Sequence, residues 1–212
     1  MTPTAWVALA VAAVFAVADW IAKARDDRTL EYVAKPATIV ALIVVATALD
    51  PAHSGRRAWF VAALVFSLAG DVFLMLPSDQ FVAGLASFLV AHVCYVIGFW
   101  VEPPSALAIV VAAVIVVAIV SPVAVRIVSA LRAGGDGSLA GPVIAYITVI
   151  SAMVASALAS GNVAAGAGAV VFAVSDTLIA WDRFVHRVRF APVAIMVTYH
   201  VGQALLVLSL LT

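Results

Sequence analysis

Residues 104–125 read PSALAIVVAAVIVVAIVSPVAV and contain no charged side chain. A helix of about 20 residues crosses the roughly 30 Å hydrocarbon core of a bilayer, and this run is long and apolar enough to do so. The rest of the chain is similar: of 212 residues, 66% are hydrophobic and 10% are charged, and the mean hydropathy is +1.21. Soluble domains carry far more charge. The chain is therefore predicted to be an integral membrane protein.

Further apolar segments of similar length precede and follow this run, separated by turn-forming or charged stretches such as DPAHSGRR and RAGGDG. In lipid the backbone must satisfy its own hydrogen bonds, so each segment is predicted to be a helix. We expect an all-α polytopic protein whose bundle of about eight transmembrane helices forms a single domain over residues 1–212. The predicted helices are 4–22, 33–49, 58–76, 81–100, 104–125, 139–159, 162–182 and 190–211.

The basic residues predict the orientation in the membrane. Eight of them fall in the first, fifth and seventh connections, whereas the opposite side has only Arg56 and Arg57. Because cytoplasmic loops carry the excess of Lys and Arg, both termini are expected outside a bacterial cytoplasmic membrane. The formal net charge of zero gives no reason to expect a nucleic-acid partner, so the lipid bilayer is the expected partner. The eight are Lys23, Arg25, Arg28, Arg126, Arg132, Arg183, Arg187 and Arg189.

Residues 66–75, FSLAGDVFLM, place the carboxylate Asp71 inside an apolar helix, and Asp176 has the same setting in the seventh helix. Each lies about six residues from the predicted cytoplasmic end of its helix, roughly 9 Å deep at 1.5 Å per residue. An ionisable group in the middle of a transmembrane helix costs about 2.5–3.5 kcal/mol on insertion scales, so such residues usually have a functional role. We therefore expect the two carboxylates to face each other across one shielded pocket.

Other polar side chains fall in the same inner half of the bilayer, and their helical spacing directs them inward. Purely structural roles remain open for Asp71 and for two of these side chains. Asp71 could form a structural ion pair with Lys35, His92 could make an interhelical hydrogen bond, and Lys35 could extend to the interface. The residues that accompany the two aspartates are Lys35, His92, Tyr95, Tyr146, Tyr199, His200 and Gln203.

Three stretches carry a resemblance to a known family. They read GDVFLMLPSDQFVAGLASFLVAHVCYVIGF, GAVVFAVSDTLIAWDRF and TYHVGQALLV, and AKP stands at positions 34–36. In this order they resemble the YhhN-like lysoplasmalogenase family. The resemblance implies an eight-helix membrane hydrolase that cleaves the vinyl ether bond of lysoplasmenyl-ethanolamine or -choline to a fatty aldehyde and a glycerophospho-base. The chain departs from the family pattern at His200, where a second tyrosine is usual.

The chemistry of a vinyl ether suits two carboxyl groups. Protonation of its β-carbon gives an oxocarbenium ion that water captures, as in glycoside hydrolysis, where one carboxyl group donates a proton and the other stabilises the cation or activates water. Asp71 and Asp176 fit these roles, and His92 could shuttle the proton. Lys35 could contact the lipid phosphate. The predicted substrate contacts are Lys35, Tyr95, Tyr146, Tyr199 and Gln203, and no cofactor is expected.

Two other classes of function stay open. A metal-dependent lipid hydrolase could gather Asp71, His92, Asp176 and His200 around zinc, although no HExxH-like spacing supports it and no metal site is predicted. A proton-coupled carrier would also place Asp and His residues inside the membrane. Against the carrier, the helices show no inverted repeat.

Overall fold

Eight long helices make up the fold, in a computed structural model that describes residues 1–212. All eight are long and apolar enough to cross a membrane, which confirms the predicted fold class. Short 3-10 turns precede α6 and follow α8. The helices are α1 Pro3–Arg25, α2 Arg28–Ala48, α3 Ser54–Met75, α4 Phe81–Phe99, α5 Ala106–Ala133, α6 Ala140–Ala159, α7 Val163–Phe184 and α8 Ala191–Leu208.

Several helices extend beyond the apolar segments that predicted them. Helix α2 begins at Arg28 rather than at residue 33, because the side chain of Asp27 accepts a hydrogen bond from the backbone N–H of Leu30 and caps the helix. Helix α5 continues to Ala133 rather than ending at 125, so Arg126 and Arg132 lie on a helix and not in a connection. Charged residues end an apolar run without ending the helix, because a long side chain can reach the membrane surface.

The helices form a closed ring with one helix outside it. Neighbours in the chain pack as four hairpins, and the ring runs α1, α2, α3, α4, α6, α7, α8 and back to α1. Helix α5 packs mainly against α6 and buries few residues, so most of its surface lies on the outside of the bundle. The interior of the ring collects side chains from helices that are distant in sequence.

Glycines bring α7 and α8 into direct backbone contact. A Cβ atom on Gly168 would lie 2.9 Å from the carbonyl oxygen of Gly202 and 2.9 Å from the backbone nitrogen of Leu206. Small residues allow this kind of close approach between membrane helices. The contact fixes the relative position of two helices that carry predicted site residues, Asp176 on α7 and Tyr199 on α8.

Candidate active site

The interior polar residues form two clusters near one end of the bundle. We call this end the basic end, because it carries the four connections between the helices of each hairpin and the eight basic residues counted above. An even number of spans places both chain termini at the opposite end. The clusters lie within the helices, so their side chains come from α2, α3 and α8 in one case and from α4, α6 and α7 in the other.

The first cluster is centred on Asp71, whose side chain is 1% exposed. One carboxylate oxygen lies 3.1 Å from the Lys35 ammonium, and the other accepts a hydrogen bond from the Tyr199 hydroxyl at 2.7 Å. This is the interhelical ion pair that the sequence left open for Asp71 and Lys35. Both charges are buried, and each therefore depends on the other for compensation. We call Asp71, Lys35 and Tyr199 the Asp71 cluster.

A buried hydrogen-bond network is centred on Gln203, one turn along α8 from Tyr199. The Tyr95 hydroxyl donates to the Gln203 side-chain oxygen at 2.5 Å, and the Gln203 amide donates to the Ser67 hydroxyl at 2.9 Å. Tyr95, Gln203 and Ser67 are completely buried, so their polar groups are satisfied within the protein. The network joins α3, α4 and α8 next to the Asp71 cluster.

The second cluster is centred on Asp176 and includes Tyr146 and His92. The Tyr146 hydroxyl donates to a carboxylate oxygen of Asp176 at 2.5 Å, and Nε2 of His92 lies 3.6 Å from the same oxygen. The other ring nitrogen of His92, Nδ1, is 2.6 Å from the Phe88 carbonyl oxygen and must donate its hydrogen there. In the neutral ring, Nε2 is therefore a free acceptor aimed toward Asp176. We call these three residues the Asp176 cluster.

Aromatic rings connect the two clusters. The Phe172 ring lies 4.9 Å from the His92 ring and 5.3 Å from the Tyr199 ring, measured between centroids. Phe88 packs edge-on against both Phe172 and Tyr199. The sequence led us to expect the two carboxylates face to face; in the structure no hydrogen bond joins them, and each has its own partners.

A large apolar cavity opens beside the Asp176 cluster. It has a volume of about 400 Å³, lies between α4, α5, α6 and α7, and is lined by 27 residues of which 24 are hydrophobic. Asp176 and Tyr146 lie on its wall, and Asp176 is the only ionisable carboxyl there. The other predicted site residues are held in the packed interior and do not reach the wall: Lys35, Asp71, His92, Tyr95, Tyr199 and Gln203.

The four residues considered as zinc ligands are not gathered at one point. Asp71 is bound to Lys35 and Tyr199, and His200 accepts a hydrogen bond from the Trp20 indole at 3.2 Å. No group of three or more His, Cys, Asp or Glu side chains is arranged to hold a metal ion. The donor set therefore does not match a metal centre.

The structure adds one interior residue that sequence reasoning missed, Asp19 on α1. Its side chain is fully buried, and neither of its carboxyl oxygens has a hydrogen-bond partner in the protein. The signal in the sequence was the same as for Asp71, a single acid in an apolar helix. Trp20, which could be explained as part of an interfacial aromatic belt, is instead the hydrogen-bond donor to His200.

Comparisons with known proteins agree with the family resemblance. The model of the YhhN family matches residues 30–210. Lysoplasmalogenase TMEM86B of Mus musculus is 32% identical over 82% of this chain and 72% of its own length. Lysoplasmalogenase TMEM86A of Homo sapiens is 34% identical over 74% and 67%, and a lysoplasmalogenase of Mycobacterium tuberculosis is 31% identical over 80% and 66%. No solved structure gives a significant match. The chain belongs to the YhhN family.

Proposed function

We propose that this protein is a lysoplasmalogenase, which hydrolyses the vinyl ether bond of a lysoplasmalogen to a fatty aldehyde and a glycerophospho-base. The names of its relatives in mammals and mycobacteria support the reaction class. The observation that carries the proposal is a carboxyl group, Asp176, on the wall of a large apolar cavity inside a membrane protein. A lipid chain would fill such a cavity and bring its polar end to the acid.

The cavity suits the alkenyl chain of the substrate. Its volume of about 400 Å³ falls within the range of roughly 300–1,000 Å³ that is common for ligand sites. The chain would pass from bilayer to cavity, from one apolar medium to another, so the hydrophobic effect contributes little to binding. Selection among substrates then depends on fit to the cavity walls and on contacts of the polar end.

Asp176 is the proposed general acid. Its proton is transferred to the β-carbon of the vinyl ether, and the α-carbon becomes an oxocarbenium ion. Tyr146 holds one carboxyl oxygen, and the free acceptor Nε2 of His92 faces the same oxygen. Asp176 and His92 can therefore share one proton, stored either on the carboxyl group or on the ring. A proton held at this position is available to a bond lying in the cavity.

Water completes the reaction. It adds to the α-carbon of the cation, releases one proton to return the acid to its starting form, and gives a hemiacetal. The hemiacetal collapses to the aldehyde and the glycerol hydroxyl, so one water is consumed for each bond cleaved. Phe88 also lines the cavity, and an aromatic ring can attract a cation.

Asp71 is the proposed anionic partner. Lys35 contacts one of its carboxylate oxygens, and Tyr199 donates a hydrogen bond to the other. A fixed negative charge close to Asp176 but outside the cavity stabilises the oxocarbenium ion without reacting with it. In this scheme Lys35, Tyr95, Tyr199 and Gln203 position Asp71 rather than bind the lipid directly.

The orientation of the substrate follows from the position of the cavity. We propose that the basic end faces the cytoplasm, with both termini outside, and that the lipid headgroup stays at this end while the chain points toward the middle of the bilayer. The Arg183 guanidinium lies 4.1 Å from the centre of the Phe81 ring at the same end. Phe81 also lines the cavity, so the Arg183 guanidinium lies next to the proposed position of the lipid phosphate.

The test is the aspartate variant Asp176→Asn, which keeps the size of the side chain and removes the acid. Purified protein in lipid vesicles is given a lysoplasmenyl lipid, and aldehyde release is measured by mass spectrometry. Loss of a general acid lowers the rate by about 10²–10⁴-fold. The matched control is Asp136→Asn in the exposed connection before α6, which should retain full activity. Normal turnover by the Asp176 variant would remove this residue from the mechanism.

A further inference from the structure

A second, polar cavity opens at the basic end on the other side of α3. It has a volume of about 270 Å³ and lies between α1, α2 and the connection from α3 to α4. Lys23, Arg28 and Glu31 supply charges of both signs to its wall. Lys23 and Glu31 form an ion pair across α1 and α2. This cavity is polar where the cavity beside Asp176 is apolar.

Ionisable side chains continue from this cavity into the protein at helical spacing. On α1, Asp19 lies one turn below Lys23, and on α2, Lys35 lies one turn below Glu31. On α3, Asp71 lies one turn below Met75, which also lines the cavity. Lys35 and Asp71 are in contact, with 3.1 Å between the ammonium and a carboxylate oxygen. Three helices therefore present a second layer of charge immediately beneath the cavity.

The second layer contains polar atoms that the protein leaves unpaired. Both oxygens of Asp19 lack a donor. The indole N–H of Trp20 on α1 can only donate, so Nδ1 of His200 on α8 accepts it. The proton of the neutral His200 ring is therefore on Nε2. That N–H also lacks a partner. Asp19 therefore offers unpaired acceptors, and His200, which is bonded to the neighbouring Trp20, offers an unpaired donor.

Unpaired buried polar groups require a partner from outside the chain. Burying them without one costs free energy, and buried waters commonly supply about three hydrogen bonds to such groups. We propose that water reaches Asp71 from the basic end along a polar path between α1, α2 and α3, whose inner end is formed by Asp19, Lys35 and His200. The path rests on the proposed function, because hydrolysis is the reaction that consumes water.

The path separates the two substrates. The lipid occupies the apolar cavity beside Asp176, and water arrives through the polar layer beside Asp71. The carboxyl group that donates the proton is thus on the lipid side, and the carboxylate that stabilises the cation from outside the cavity is on the water side. Asp19 is a positioning residue in this scheme, since it holds water and does not touch the lipid.

The test compares two substitutions at one position. Asp19→Leu removes the polar lining with little change in size, and Asp19→Asn keeps a hydrogen-bonding oxygen. The Leu variant should lower kcat by about tenfold or more with an unchanged KM for the lipid, because water supply and not lipid binding is impaired. The Asn variant should recover a large part of that loss. Asp50→Leu, in the exposed connection at the opposite end, is the control and should have normal kcat.

A second measurement detects the bound water directly and does not depend on turnover of the substrate. Hydroxyl radicals generated from bound water by an X-ray pulse oxidise the side chains next to that water. His200 should be labelled in the parent protein and much less in the Asp19→Leu variant, while the buried Tyr95 should be unchanged in both. Equal labelling of His200 in the two proteins would overturn the path, as would equal kcat losses for the Leu and Asn variants. If labelling follows the path but no lysoplasmalogen is cleaved, the proposed reaction is wrong and the path stands.

Discussion

The backbone contact between α7 and α8 predicts a specific sensitivity to one methyl group. In Gly168→Ala the new Cβ would meet two backbone atoms of α8, the Gly202 oxygen and the Leu206 nitrogen, both at 2.9 Å. Backbone atoms cannot rotate away, so the helices must separate. In Gly166→Ala, on the same helix, the new Cβ would meet the Leu158 side chain at 3.1 Å. That side chain can move.

The pair of variants isolates the cost of the clash. Both substitutions gain roughly 1 kcal/mol of helix propensity, because alanine favours a helix more than glycine does. Only Gly168→Ala adds an overpacking cost of about 1–3 kcal/mol. The difference between the two variants should therefore be about 1–3 kcal/mol. A change of 1 kcal/mol shifts the melting temperature by roughly 2–4 °C in a chain of this size.

Thermal unfolding in detergent, followed by circular dichroism, measures this difference. Gly168→Ala should melt below Gly166→Ala, which should melt roughly 2–4 °C above the parent protein. Separation of the helices should also weaken the hydrogen bond from Tyr199 on α8 to Asp71 and so reduce aldehyde release. Equal melting temperatures for the two variants would show that α7 and α8 do not touch at Gly168.

Three further predictions follow from the same contacts. Lys35→Met should destabilise the protein by about 3–5 kcal/mol, because it leaves the Asp71 charge buried and unpaired; thermal melts should show that adding Asp71→Asn restores part of the loss. Ala173→Phe, on the cavity wall, should slow cleavage of long alkenyl chains more than short ones, measured as aldehyde release from a chain-length series. The Arg183 guanidinium beside Asp79 lowers the pKa of that exposed carboxyl, so its stabilising effect is present above the ordinary value of 3.8 and is lost as the pH falls through the lowered one. A melting-temperature series in acid should therefore decline less steeply for Arg183→Gln than for the parent protein.

The number and order of helices could be predicted because each helix is apolar over its own length. Hydropathy does not report where a helix ends, since residues such as Arg126 and Arg132 continue α5 beyond its apolar run. It also does not report which helices are neighbours. The exclusion of α5 from the ring depends on the fit of side-chain surfaces between distant segments, which no local pattern encodes.

The depth of the site residues could also be predicted, but their pairing could not. Counting along a helix predicted Asp71 and Asp176 near the same end of the bundle, and they lie four and eight residues before the ends of α3 and α7 at the basic end. Which partner each would find depends on rotation about the helix axis and on the neighbouring helix. The sequence predicts Lys35 either as a contact of the lipid phosphate or as the ion-pair partner of Asp71, and in the structure it pairs with Asp71. Asp19 carries the same signal in the sequence as Asp71, a single acid in an apolar helix, but it was not predicted.

A hydrolase inside a bilayer must combine two reactants that do not mix. An open aqueous pocket would expose the lipid chain to water, and a sealed apolar one would exclude the water that the reaction consumes. The two clusters answer this requirement because they divide the site by polarity. The Asp176 cluster borders apolar side chains, the Asp71 cluster contains the buried Lys35 ammonium, and the Phe172 ring lies against His92 of one cluster and Tyr199 of the other. The negative charge of Asp71 acts across this ring, so the cation can form in an apolar space next to a fixed anion.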